Sequence, residues 1–283
     1  MFVYAVTNHK GGVGKTTTAA TLGAAFARAG RRVLLMDLDP QTGLSVAVGA
    51  AAREMTIENV LESPGCIEQA VTPCTFGMQI VPARATLAIK LYEIMHAPAS
   101  SGRIATALQA LRGRFDTVLI DCPSTIGAAI TNGLTAAHVA LVPMQCDFLS
   151  LRGLADVQSI ANTIVQTTNP GLQIRAFASM YDRRTTHAWD VLSEARLALG
   201  SRMLETLVPR SVRLAEAPAT GKTVLEYAPR SHAAEAYCNL AAELIEQEKH
   251  YGTTRRHSSS DSQTAIRSLS GGCRRAPVAV NGA

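Results

Sequence analysis

Between an apolar run, FVYAVT (2–7), and a stretch of helical composition, TTTAATLGAAFARAG (16–30), the chain carries NHKGGVGKTT (8–17). A glycine-rich turn that leaves a strand and opens a helix is a strong constraint on fold. The glycines let backbone N–H groups turn inward, and the helix N-terminus adds the positive end of its dipole, so the turn cradles phosphate. The usual phosphate-loop spacing, G-x-x-x-x-G-K-[ST], asks for glycine at position 9, where this chain has His9. Lys10-Gly11-Gly12-Val13-Gly14-Lys15-Thr16-Thr17 stands there instead. In such a loop Lys15 neutralises the β- and γ-phosphates and the Thr16 hydroxyl holds Mg²⁺. That leaves a second lysine, Lys10, without an obvious duty.

The rest of the chain alternates strand-like apolar runs with helix-like stretches, the pattern of βα units on a parallel sheet. Strands are expected at 2–7, 32–37, 78–83, 116–121, 138–144, 172–179 and 203–209. Helices are expected at 16–30, 84–95, 101–113, 148–166, 186–199 and 231–248. The strands are continuously apolar rather than alternating, which implies burial on both faces. The expected fold class is α/β: one doubly wound, mostly parallel sheet with helices on both faces, over residues 1–250. Acidic residues fall where such a sheet collects ligands, at the ends of apolar strands: Asp37 and Asp39 in DLDPQ (37–41), and Asp121 in DTVLIDCPS (116–124).

Charge divides unevenly. Of the 27 basic and 22 acidic residues, six basic (Lys249, Arg255, Arg256, Arg267, Arg274, Arg275) and one acidic (Asp261) lie from position 249 onward, so the tail holds the whole excess of +5. Residues 251–283 are rich in Ser, Gly and Arg with no apolar period, and are read as a disordered basic tail. No apolar run approaches the ~20 residues of a membrane span, and nothing at the N-terminus has the build of a secretory signal, so the expected location is the cytoplasm. The six cysteines (66, 74, 122, 146, 238, 273) show no metal-ligand spacing and are read as small buried hydrophobes.

KGGVGKTT (10–17) resembles the deviant Walker A motif of the ParA/MinD group of P-loop ATPases. DLDPQ resembles that group's switch I, and DTVLIDCPS its Walker B and switch II. The resemblance implies a P-loop NTPase that binds ATP with Mg²⁺ through residues 10–17 and hydrolyses it to ADP and phosphate. It implies that Lys10 reaches across an ATP-dependent homodimer to the partner's phosphates, as an arginine finger does in trans. Asp39 would position the attacking water, Asp37 would sit near the metal's outer shell, and Asp121 would hold Mg²⁺ through water. Two longer stretches, 135–154 and 208–237, are similar to the ParA/Soj branch, which partitions chromosomes and plasmids. In that branch Pro209 and the position of Ser211 line the adenine pocket, Ser211 standing where Asn is usual. Arg184 and Arg213 match arginines that bind DNA without sequence preference. A ParB-type centromere-binding partner, stimulation of hydrolysis by it, and a nucleoid-associated location follow from the same resemblance. MinD-like relatives end in an amphipathic membrane helix, and this tail has no such apolar face, so no membrane partner is expected. The alternative within the group is a ParA-like ATPase that positions a protein complex instead of DNA.

Overall fold

The computed structural model describes residues 1–50, 54–95 and 100–251, and gives positions 148, 149, 151 and 152 by their backbone only. In chain order the elements are β1 (Phe2–Val6), α1 (Lys15–Arg28), β2 (Val33–Asp37), α2 (Gly43–Ala47), α3 (Ile57–Glu62), α4 (Ile67–Ala70), β3 (Thr72–Pro73), β4 (Gln79–Val81), α5 (Leu87–Met95), α6 (Arg103–Ala110), β5 (Thr117–Asp121) and α7 (Ala128–Ala136). They continue with β6 (Val139–Gln145), α8 (Phe148–Thr167), β7 (Gln173–Tyr181), α9 (Thr186–Leu199), β8 (Met203–Pro209), α10 (Val212–Glu216), α11 (Val224–Tyr227) and α12 (His232–Lys249).

The strands form one sheet in the order β3-β4-β2-β5-β1-β6-β7-β8. Every neighbouring pair is parallel except β3 against β4. Strand order reverses around β1: the chain leaves β1 for β2 on one side and later leaves β5 for β6 on the other. The crevice at the carboxyl ends of β1, β5 and β2 is therefore the place where such a sheet binds ligands.

Both faces of the central strands are buried, as their unbroken apolar runs require. Val3, Ala5, Leu34, Met36, Val118 and Ile120 turn to one core with residues of α3, α5, α6 and α7. The intervening residues meet α1. Tyr4 stacks on Phe26, and Gly23 sits so close to the sheet that a Cβ there would lie 2.8 Å from Leu35 and 3.0 Å from Met78. A smaller core joins β6 and β7 (Val142, Met144, Ala176, Ala178) to α8 and α9. The doubly wound, mostly parallel α/β fold read from the sequence is the observed one.

At element level α9 and β8 match their expected spans, while other ends shift by a few residues. Short elements escaped the sequence: α2, α3 and α4 have 5, 6 and 4 residues, too few for a 3.6-residue period to show. Helix α7 escaped because AAITNGLTA has weak helix propensity. A tertiary contact compensates, since the buried Asn132 side chain accepts from Arg103 N and donates to Ser100 O and to Ala128 O. One expectation needs correction: of the described cysteines only Cys122 is buried, while Cys66, Cys74, Cys146 and Cys238 are half-buried. Met1–Ile245 form one compact unit; a second begins at Glu246, where the last turn of α12 carries a Lys249–Glu246 ion pair. The tail from residue 252, and Cys273 with it, lies outside the described residues.

Candidate functional site: a phosphate loop at the sheet crevice

The turn between β1 and α1 takes its shape from two left-handed glycines, Gly12 (φ 74°) and Gly14 (φ 90°), a conformation that strains any residue with a Cβ. The neighbouring strand ends pin it: Gln145 Nε2 donates to Gly12 O at 3.1 Å, and Ser179 Oγ donates to Val13 O at 2.9 Å. Gly11 and Thr17 complete the curve from Lys10 into α1. Lys15 is 8% exposed, and its Nζ donates to Lys10 O at 3.1 Å, so the ammonium is curled inside the loop. Burial lowers its pKa, against the opposing pull of the Asp121 and Asp39 charges.

Two carboxylates meet beneath the loop. Asp37 and Asp121 end adjacent strands in register, and both are fully buried. Asp37 is committed on several sides, accepting from Ser45 N at 2.9 Å, Ser45 Oγ at 2.7 Å and Asp39 N at 3.1 Å. It thereby ties the start of α2 to the sheet. Asp121 accepts from Thr16 Oγ1 through Oδ2 at 2.7 Å, while its buried Oδ1 has no partner among the described residues. Burial, reinforced by the charge of Asp37, pushes the Asp121 carboxyl well above the usual range; burial likewise raises Asp37. Buried like charges with an orphaned oxygen are what a cation relieves. A hydroxyl and one carboxylate oxygen are also what a magnesium ion takes when water and phosphate oxygens fill its other positions. Thr16 would thus hold Mg²⁺ through its hydroxyl and Asp121 through water, with Asp37 near the outer shell behind them.

Asp39 sits higher, partly exposed, its Oδ1 accepting from Gln41 N at 2.9 Å. It lines a cavity of about 370 Å³ together with Pro40, Tyr92 and the 123–129 segment after Asp121. A carboxylate at the open mouth of a phosphate site can orient water.

The two lysines part company. Lys10 Nζ turns away from its own loop and donates to Asp147 at 2.5 Å, to Gln145 Oε1 at 3.3 Å and to Ser150 Oγ at 3.4 Å. Asp147 also caps α8 through Ser150 N. Burial alone would raise the Asp147 carboxyl, but its bonds from Lys10 and Ser150 outweigh this and hold it low. Sequence reasoning missed Asp147 and Gln145. Asp147, just ahead of a helical stretch, reads as a helix cap, and a contact spanning 137 residues leaves no local signal.

Beside the loop, a cavity of about 350 Å³ is lined by Val13, Gly14, Thr17, Met180, Arg210, Ser211 and Tyr237, among others. Ser211, expected at the base, lines this cavity, whereas Pro209 is absent from the lining and closes the β7–β8 ladder opposite Tyr181. Met180 is a further residue the sequence did not signal: it adopts φ 52°, and its sulfur accepts from Gln145 Nε2 at 3.0 Å. Arg184 and Arg213 occupy the turn after β7 and the helix after β8, which pairing of those strand ends brings to one corner. Neither arginine is free: Arg184 is bound to Asp182, and Arg213 to Glu216.

With this geometry in hand, likeness to known proteins is specific. A family described as AAA domain matches residues 1–174. The chromosome partitioning protein ParA of Caulobacter vibrioides is 39% identical over 254 residues, covering 87% of this chain and 95% of that protein. The sporulation initiation inhibitor protein Soj of Bacillus subtilis is 35% identical over 246 residues, 86% of this chain and 97% of that protein. Among solved structures, cobyrinic acid a,c-diamide synthase from Mycobacterium smegmatis with bound ADP and magnesium superposes with a TM-score of 0.77 at 35% identity, covering 88% of this chain and 96% of that one. Phosphate loop, paired carboxylates and relatives agree: the chain belongs to the AAA domain family, as a ParA/Soj-type member of the ParA/MinD group of P-loop ATPases.

Proposed function

We propose that this ATPase is an ATP-driven switch for DNA segregation. ATP binding brings two subunits together, the dimer binds DNA without sequence preference, and a ParB-type centromere-binding partner triggers hydrolysis. The observation that carries the reading is the divergence of the two lysines: Lys15 is folded into its own loop while Lys10 is held outside it by Asp147. A cation so placed has no use for its own phosphates and is available to a neighbour's.

In this reading Lys15 and the N–H groups of residues 11–17 bind the phosphates of ATP. Thr16 and Asp121 hold Mg²⁺, with Asp37 behind them, and the ion supplies charge neutralisation at the phosphate oxygens. Asp39 orients the attacking water. Lys10 arrives only on dimerisation and stabilises charge that develops in the transition state. Ser211 and its neighbours receive the base. Arg184 and Arg213 meet DNA phosphates, and the protein resides in the cytoplasm on the nucleoid. No helix among the described residues is long and apolar enough to cross a membrane.

The test is binding of a mixed-sequence DNA duplex with ATP, with ADP and without nucleotide, alongside ATP hydrolysis. The expected result is DNA binding that requires ATP and hydrolysis that rises with DNA and a ParB-type protein. A protein cargo in place of DNA would leave DNA binding indifferent to ATP. Hydrolysis driven by cobyrinic acid would point instead to the synthase activity named for the M. smegmatis relative.

A further inference from the structure

The corner that carries Arg184 and Arg213 is not a plain basic patch. The ladder pairs Tyr181 with Pro209, and Arg210 N donates to Tyr181 O, so the turns after β7 and β8 lie side by side. Those turns, with α10 that follows the second, bring four arginines, at 183, 184, 210 and 213, and two acids, Asp182 and Glu216. Both acids are occupied by arginine. Asp182 takes Arg184 with both oxygens, from Nε at 2.9 Å and from the terminal nitrogen at 2.7 Å, and also accepts from Arg184 N at 3.0 Å. The Arg210 charge bears on the same carboxylate. Glu216 Oε2 accepts from Arg213 at 2.8 Å and from the Tyr227 hydroxyl at 3.2 Å. A planar guanidinium gripped by two carboxylate oxygens is in the geometry it would adopt on a phosphate.

We propose that Asp182 and Glu216 are built-in counterions that occupy the phosphate positions of this corner and set how tightly one subunit can hold DNA. The inference rests on the DNA reading above and names the control of that site. Each arginine must exchange a carboxylate for a DNA phosphate, and the displaced carboxylate then faces the polyanion. The single subunit is left with a weak grip. A dimer presents two such corners to one duplex, and linked weak contacts combine multiplicatively because the second binds at a high effective concentration. The acids thus weaken the hold of the free subunit on DNA, and the two linked corners of a dimer restore enough affinity to bind.

Neutralising the acids should release the grip with little change in shape. Asp182→Asn keeps an acceptor for Arg184 N, and Glu216→Gln keeps one for the Tyr227 hydroxyl. The measurement is fluorescence anisotropy of a labelled mixed-sequence duplex, with and without ATP. Exposed ion pairs shift equilibria by up to about fivefold. Asp182→Asn, which frees a two-pronged pair, should tighten nucleotide-free binding by about fivefold, and Glu216→Gln by about twofold. With ATP the gain for Asp182→Asn should approach the square, about 25-fold, because both corners contribute. Glu205→Gln is the control: it removes the same charge from an Arg196 pair near the start of β8. An equal gain from the control would mean that net charge alone is at work and would overturn the proposal, as would no gain from either acid. Arg184→Ala with Arg213→Ala separates the two levels. If that pair leaves DNA binding intact, the DNA reading of this corner fails; if it weakens binding while the acid variants do nothing, only the counterion inference fails.

Discussion

The nucleotide crevice and the arginine corner are made of charged residues at the carboxyl ends of the same sheet, yet they are built on opposite plans. In the crevice the charges are buried and under-compensated. Asp121 keeps an orphaned oxygen, Asp37 and Asp121 lie in register, and Lys15 is curled inside a loop that left-handed glycines hold open. Such a site stores unfavourable electrostatics that its ligand relieves. At the corner Arg184 and Arg213 are exposed and each is paired with an acid, Arg184 being 87% exposed yet bound to Asp182. Little is stored there, and each contact is worth little. One region senses the nucleotide; the other adds many small terms. Lys10 lies between the two plans, partly buried and held by one carboxylate.

The sharpest way to break this contrast is at the lysines. Lys15→Ala should remove nucleotide binding altogether, since no other side chain of the loop neutralises phosphate from within. Lys10→Ala should bind ATP nearly as well as the unaltered protein but lose hydrolysis by at least about 100-fold, the scale of a missing transition-state donor. Calorimetric titration with ATP and a phosphate-release assay give both numbers. Normal hydrolysis by Lys10→Ala would show that the bond to Asp147 is merely structural.

Next in size is Asp39. It is partly exposed and bonded to Gln41 N, outside the buried carboxylate pair, so its removal should spare the cradle. Asp39→Ala should slow hydrolysis by about 10²- to 10⁴-fold, the usual range for a positioned acid or base, and trap the ATP-bound dimer. Size-exclusion chromatography with ATP checks it, and a monomer under those conditions sinks the assignment.

Both sets of residues are legible in the sequence because the crevice is encoded locally. Residues 8–17 carry glycines, lysine and threonine in one run, and Asp37 and Asp121 each end an apolar strand. Strand continuity tells the fold for the same reason: burial on both faces writes itself into consecutive residues. What the sequence withholds are relations between distant positions. Asp147 pairs with Lys10 across 137 residues, and Asn132 stabilises a helix that its own segment does not favour. The acids that neutralise Arg184 and Arg213 are only two and three residues away, yet nothing in the string distinguishes an ion pair from a solvated neighbour. Lone carboxylates near lysines or arginines are common, so geometry alone selects the ones that matter.

Among the smaller effects, replacing Arg184 and Arg213 with alanine should weaken DNA binding equally for all sequences. It should flatten the dependence of log affinity on log salt by about 0.9 for each phosphate no longer neutralised. Salt titrations of the double variant on two unrelated duplexes read both effects. ATP-driven dimerisation should survive, because neither arginine belongs to the phosphate loop: Arg184 is bound to Asp182 and Arg213 to Glu216.

The smallest expected effect concerns the basic tail, and it tests whether the corner is the DNA element at all. Residues 252–283 carry five arginines against one aspartate. Were all five to meet phosphate, the salt slope would steepen by about 4 to 5. Simultaneous contact by all five is the upper limit, so the share of the tail should be smaller. That share should also be indifferent to nucleotide, because ATP acts through the loop and the dimer. Truncation after Tyr251 should therefore leave ATP hydrolysis unchanged and ATP-dependent DNA binding intact, while lowering the background binding seen without ATP by a few-fold. Paired salt titrations of full-length and truncated protein, with and without ATP, read both quantities. If truncation abolished the ATP-dependent part, the switch would lie in the tail and the contrast between crevice and corner would fail; if it removed only the background, two weak, compensated corners on one dimer would suffice for the ATP-dependent binding.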